Sequence, residues 1–180
     1  MAVGTSLVLA IVGSFTLAQR TVDAETTLPY RSTAVYSQQV QMARFLSRFE
    51  EGVSVAANDV GAINYYADID CLDLVGLGDR DVFWLKRKGV YSTAALAKLA
   101  QDRKVQIAVV YDSWFSISPL NSLSGPPLPL SWIRVAQWRT PYGAYLGGDT
   151  VSFYATNPTE AAKLKSSLAA CGESQFFVCL

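Results

Sequence analysis

Between positions 58 and 81 lie Asn58, Asp59, Asp68, Asp70, Asp73, Asp79 and Asp81, the densest set of chemically competent side chains in the sequence. Carboxylates so grouped could exchange protons, bind sugar hydroxyls, or hold Mg²⁺, Mn²⁺ or Ca²⁺ through oxygen alone. Their spacing fits neither an EF-hand loop nor another cation signature, so no metal ligand and no catalytic residue is assigned. Simpler roles are at hand. Asp59 follows a short apolar run and can cap the next helix, where its charge suits the positive end of the dipole. Asp68 and Asp70 read as turn acids, and Asp79 and Asp81 as solvated loop residues. Asp73 is different: an aspartate inside an apolar strand must find a partner or reach the strand's open edge.

The chain contains no histidine. Ser-His-Asp triads, Cys-His pairs and His-ligated zinc are therefore excluded within it. Cys71, Cys171 and Cys179 form no C-x-x-C pair. Cys171 and Cys179 enclose a short Gly-containing loop and could bridge in an oxidising compartment, while all three also suit the role of small buried hydrophobes. Fifteen basic residues balance fifteen acidic ones, which argues against a nucleic-acid partner.

The elements that must position these groups follow from apolar patterning. Residues 2–18, AVGTSLVLAIVGSFTLA, carry no charge and would span roughly 25 Å as a helix. A signal peptide should start with a basic region, and a core helix should show a polar face. Neither is present, so a membrane helix over 1–19 fits best. A linker over 20–31, containing Pro29, leads to a domain over 32–180 that lies on one side of the membrane. There Val35, Met42, Phe45, Leu46 and Phe49 recur at helical spacing behind a Ser32 cap, with Gln38, Gln41, Arg44 and Arg48 on the polar side. Val53–Ala57, Cys71–Val75 and Val105–Tyr111 read as strands, the second placing Cys71 and Asp73 on one face and Leu72 and Leu74 on the other. Ser92 caps a helix over 92–103. The proline-rich stretch 116–130 reads as a lid or a solvated excursion. Trp132–Trp138 and Val151–Ala155 pair as a hairpin, and Asn157-Pro158-Thr159-Glu160 starts a last helix. The expected fold class is α/β, a mixed, mostly parallel sheet flanked by helices, with a C-terminal β-hairpin and helix, preceded by one membrane helix.

In such sheets ligands collect beyond the carboxyl ends of parallel strands. Asn58, Asp59, Asp73, Gly76, Asp112 and Trp114 fall at or beside those ends and form the candidate substrate-binding set. Tyr65, Tyr66, Trp114 and Trp138 could stack on a sugar ring, though each also suits a core. Gly76-Leu77-Gly78 lacks the third glycine of a dinucleotide fingerprint, and no cofactor is called for.

YSQQVQMARFLSRF followed by VAANDVGAINYYADIDCLDLVGLGD resembles the soluble C-terminal region of polytopic bacterial membrane glycosyltransferases of the protein-mannosyltransferase and aminoarabinose-transferase-like class. The likeness covers about 30–156. It implies an accessory periplasmic domain at the cell membrane, beside a polyprenyl-phosphate-linked sugar donor and a glycan acceptor. The family's catalytic acid sits on a loop between its first membrane helices, and no position here matches it. On this reading the chain is a fragment or truncated reading frame, partnered by the missing transmembrane part of its own parent. The alternatives are an anchored or secreted carbohydrate-binding module, and a carboxylate-based hydrolase centred on Asp59 and Asp73.

Overall fold

A computed structural model describes residues 2–115 and 125–172, with residues 2–5 and 7–9 described by backbone alone. Helix α1 runs over Ala2–Val35 without interruption, 34 residues or about 51 Å of axis. Three of its threonines bond back within the helix: Thr16 donates to the Val12 carbonyl, Thr21 to Leu17 and Thr33 to Pro29. The linker expected over 20–31 is therefore helical, and Ser32 lies inside the helix instead of capping one. Pro29 withholds one backbone N–H, a loss a long helix tolerates by bending. Among the described residues no helix is long and apolar enough to cross a membrane.

The chain continues from α1 through one π-helical turn, Tyr36–Val40, into α2 at Gln41–Phe49. The wider turn shifts the helical register. Gln38, Gln39 and Gln41 are consequently buried, whereas helical spacing places Gln38 and Gln41 on the polar side.

Five strands follow, interleaved with helices. They are β1 at Ser54–Ala57, β2 at Asp70–Asp73, β3 at Ile107–Val110, β4 at Ile133–Arg139 and β5 at Thr150–Ala155. The helices between and after them are α3 at Gly61–Tyr66, α4 at Arg80–Arg87, α5 at Thr93–Asp102 and α6 at Pro158–Gly172. The sheet order is β2-β1-β3-β5-β4. β1 pairs parallel with β2 and β3, while β5 pairs antiparallel with β3 and β4. The sheet is thus mixed, with two parallel and two antiparallel pairings, because β5 alone runs against the other four strands.

Alternation along the strands builds two cores. Val55, Ala57, Ile107, Val109, Val151 and Phe153 face Met42, Phe45 and Leu46 of α2, Ile63 of α3 and Leu164 of α6. Ala56, Leu72, Leu74, Ala108 and Val110 face Val82 of α4 and Leu96 and Ala100 of α5. Each fully buried large side chain contributes about 1.5–3 kcal/mol. Leu72 and Leu74 share the second core, and Cys71 packs against the first, as the alternation predicts.

The helix caps are local. Ser92 accepts from the Ala95 N–H at 3.2 Å and Asn157 from the Glu160 N–H at 3.0 Å. Asp79 accepts from the Asp81 and Val82 N–H groups at 2.9 and 3.0 Å. It is a buried N-cap and not a solvated loop residue, because it sits one position before α4.

Candidate functional site

The carboxyl ends of the three parallel strands lie side by side, and the expected residues divide into three groups there. The first is organised by Tyr111, just past β3. Its backbone N–H donates to Asn58 Oδ1 at 3.0 Å. Its phenol donates to Gln38 Oε1 at 2.7 Å and accepts from Gln39 Nε2 at 2.6 Å. Asn58 therefore ties β1 to β3, and the two glutamines tie the π-helical turn to the sheet. Asn58 Nδ2 and Gln39 Oε1 are buried without a protein partner. Burial, with the nearby Asp59 charge, pushes the Tyr111 phenol well above its ordinary range. Trp114 packs on Tyr111 at 5.9 Å and donates its indole N–H to the Gly147 carbonyl at 2.9 Å. That ring is a wedge between the two cores. A Cβ at Gly147 would come within 2.7 Å of Tyr111 and 2.8 Å of Trp114, so the β5 approach needs glycine there.

Asp59 stands beside this group. Burial raises its pKa, and a bond from the Gly61 N–H partly offsets the rise. It thus meets the first turn of α3, whose formal N-cap is Val60.

The second group closes β2. Asp73 Oδ1 accepts from Val75 N–H at 2.8 Å and Oδ2 from Gly78 N–H at 2.7 Å. Gly76 is held at φ 79°, where a Cβ would sit 2.9 Å from the Phe83 nitrogen. Asp73 and Gly76 together shape the loop that aims the chain into α4. The partner demanded by a buried strand aspartate is this loop's own backbone. Cys71 is free, and burial first, then Asp73, Asp70 and Asp79, push its thiol up to about 11. Such a thiol is a poor nucleophile at neutral pH.

The third group lies on the other face of the sheet. Asp112 Oδ2 accepts from Ser152 at 2.7 Å and Oδ1 from Tyr154 at 2.9 Å. Arg134 and Gln137 reach Oδ2 at 3.5 Å, and Gln137 also donates to Ser152 at 2.9 Å. Burial and the Asp112 carboxylate push Tyr154 up to about 12. This part of the sheet is polar and partly open, with Arg134 and Asp112 substantially exposed. Sequence reading identified Asp112 but not its partners. Their signal was the alternation that places Ser152 with Tyr154 on one face of β5.

Asn58, Asp59 and Trp114 are thus brought together around Tyr111, Asp73 and Gly76 form a separate loop, and Asp112 turns away from both. Among the described residues no group of three Cys, Asp or Glu side chains is arranged to hold a metal ion. Cys171 is disulfide-bonded, and Cys179 lies outside the described residues. The same holds for positions 116–124 of the expected lid.

Fold and polar groups together define an α/β domain whose carboxylates mostly organise its own backbone, mounted on a long N-terminal helix. The chain belongs to the family described as Domain of unknown function (DUF8728), which matches residues 30–154. No curated protein and no solved structure matches it.

Proposed function

We propose that this chain is the accessory extracytoplasmic domain of a membrane glycosyltransferase that uses a polyprenyl-phosphate-linked sugar, and that it shapes the acceptor side without supplying the catalytic acid. The observation carrying this reading is α1. An uncharged stretch continues as one helix into the core at Ala34 and locks there through Gln38 and Tyr111. Ile11, Val12, Phe15 and Leu17 are exposed along it, an arrangement suited to lipid or to neighbouring apolar helices. The acids support an accessory role as well: Asp73 and Asp79 hold backbone N–H groups and Asp112 bridges strands, so these three carboxylates already have structural work.

Expressed full length, the chain is expected to stay with membranes through an alkaline carbonate wash. Purified, it is expected to transfer and hydrolyse no sugar. Release by carbonate would remove the membrane part of the reading, and turnover by the chain alone would remove the accessory part.

The polar patch around Asp112 favours a second reading, a carbohydrate-binding module. Calorimetry with oligosaccharides separates the two: saturable binding abolished in Asp112→Ala supports the module.

A further inference from the structure

The loop before α4, α4 itself and the turn after it carry apolar and cationic side chains that the fold does not use. Leu77, Phe83, Trp84 and Val90 are 85%, 48%, 45% and 53% exposed. The Phe83 and Trp84 rings meet edge to face at 5.3 Å, which presents them as one unit. Of the four tryptophans in the chain, Trp84 is the exposed one, since Trp132 and Trp138 are buried and Trp114 is half-buried.

Charge around this patch is one-sided. Arg80, Arg87 and Lys88 are exposed and, among the described residues, meet no acidic partner. Asp81 is taken by Arg103 at 2.8 Å, and Asp79 is the buried cap. Lys86 is turned inward, its ammonium over the Tyr91 ring at 5.5 Å. Arg80, Phe83, Trp84 and Arg87 follow i, i+3, i+4, i+7 spacing and share one side of α4. The sequence as a whole has no net charge, so this local surplus stands out. Trp84 also lines a groove of about 330 Å³ between α4 and α5 with Leu85, Lys88 and Leu99, and the groove's acids, Asp81 and Asp102, are taken by Arg103 and Lys98.

We infer that this face docks on an anionic phospholipid surface. Aromatic rings flanked by unpaired cations match the requirements of an interfacial site, where rings enter the headgroup region and each nearby Lys or Arg meets lipid phosphate. A protein partner would need acids opposite the arginines as well as an apolar pocket, whereas a bilayer offers both charge and apolar depth along its plane. The inference rests on the membrane part of the preceding reading.

The test uses the full chain in vesicles whose lipids carry brominated acyl chains, which quench tryptophan at shallow depth. One set is phosphatidylcholine alone, the other contains phosphatidylglycerol. Quenching is expected to be severalfold stronger in the anionic set, and Trp84→Phe should remove most of it. Replacing Arg80, Arg87 and Lys88 together by Gln should lower it to the level in phosphatidylcholine. Far-ultraviolet circular dichroism checks that these surface variants stay folded. Quenching that survives Trp84→Phe, or is equal in both lipid sets, overturns the inference. A chain that resists carbonate yet shows no Trp84 quenching keeps its anchor and loses this docking face.

Discussion

Asp73 marks the difference between a residue type and its job. Two buried carboxylate oxygens accept two backbone N–H groups at 2.8 and 2.7 Å, bonds that shape the turn into α4. Asp73→Ala leaves both donors unsatisfied and should cost about 2–6 kcal/mol by urea denaturation, taking 1–3 kcal/mol for each stranded donor. Asp73→Asn keeps one acceptor and should cost roughly half as much. A hydrolase centred on this residue would instead lose turnover at little cost in stability. Glu50 supplies the pH-dependent counterpart. It is buried with Oε1 unpartnered, and desolvation raises its pKa against an opposing bond from Ser167. The folded state therefore favours the protonated carboxyl. Its contribution is fully present below the ordinary carboxylate range and is lost as pH rises through the raised folded value. Asp59 shifts the same way and adds to the effect. Glu50→Gln should be more stable than the parent at neutral pH and show a flatter stability profile from mildly acidic to neutral conditions, read by denaturation across a pH series.

Elements whose signal is local were legible in the sequence. β3 sits inside the β-branched run 105–111, and Ser92 and Asn157 cap α5 and α6 with bonds to their own third neighbours. The paired runs of β4 and β5 announced a hairpin, and its register carries one irregularity between Arg134 and Ala136. What escaped depends on distant partners. The helicity of 20–31 was masked by Pro29 and a run of threonines, although each residue is tolerable in a helix already propagating from both sides. Gln38 reads as a surface residue, and Gln39 draws no notice, because nothing nearby in sequence reveals that a phenol 73 and 72 positions further on needs both a donor and an acceptor. Asp79 was missed as a cap because Gly76 and Gly78 obscured where α4 begins. For the candidate site, the carboxyl-end location was readable from strand order. The division of Asp73, Asn58 and Asp112 among different faces was not, since it depends on which way each side chain turns after its strand ends.

At the scale of the molecule, a two-sided sheet domain is joined to a helix whose first half takes no part in the core. Among the described residues before Ala34 none is buried, so the domain's stability should not depend on that half. A chain lacking residues 2–18 is expected to unfold at the same temperature as the full chain, within about 2 °C for a change well below 1 kcal/mol, while moving from the membrane pellet to the supernatant. A large drop in melting temperature would mean that the segment packs on the domain.

The π-helical turn has a mechanical meaning. Gln38 and Gln39 grip opposite functions of one phenol, and Ser37 contacts Thr140 at 3.1 Å, so the base of the rod cannot spin freely in its socket. Torque applied at the far end must either flex the shaft at Pro29 or arrive undiminished at Tyr111, whose amide is fastened to Asn58 at the end of β1. The domain is thus geared to its shaft, and any rotation of the apolar end would steer where the open sheet face points.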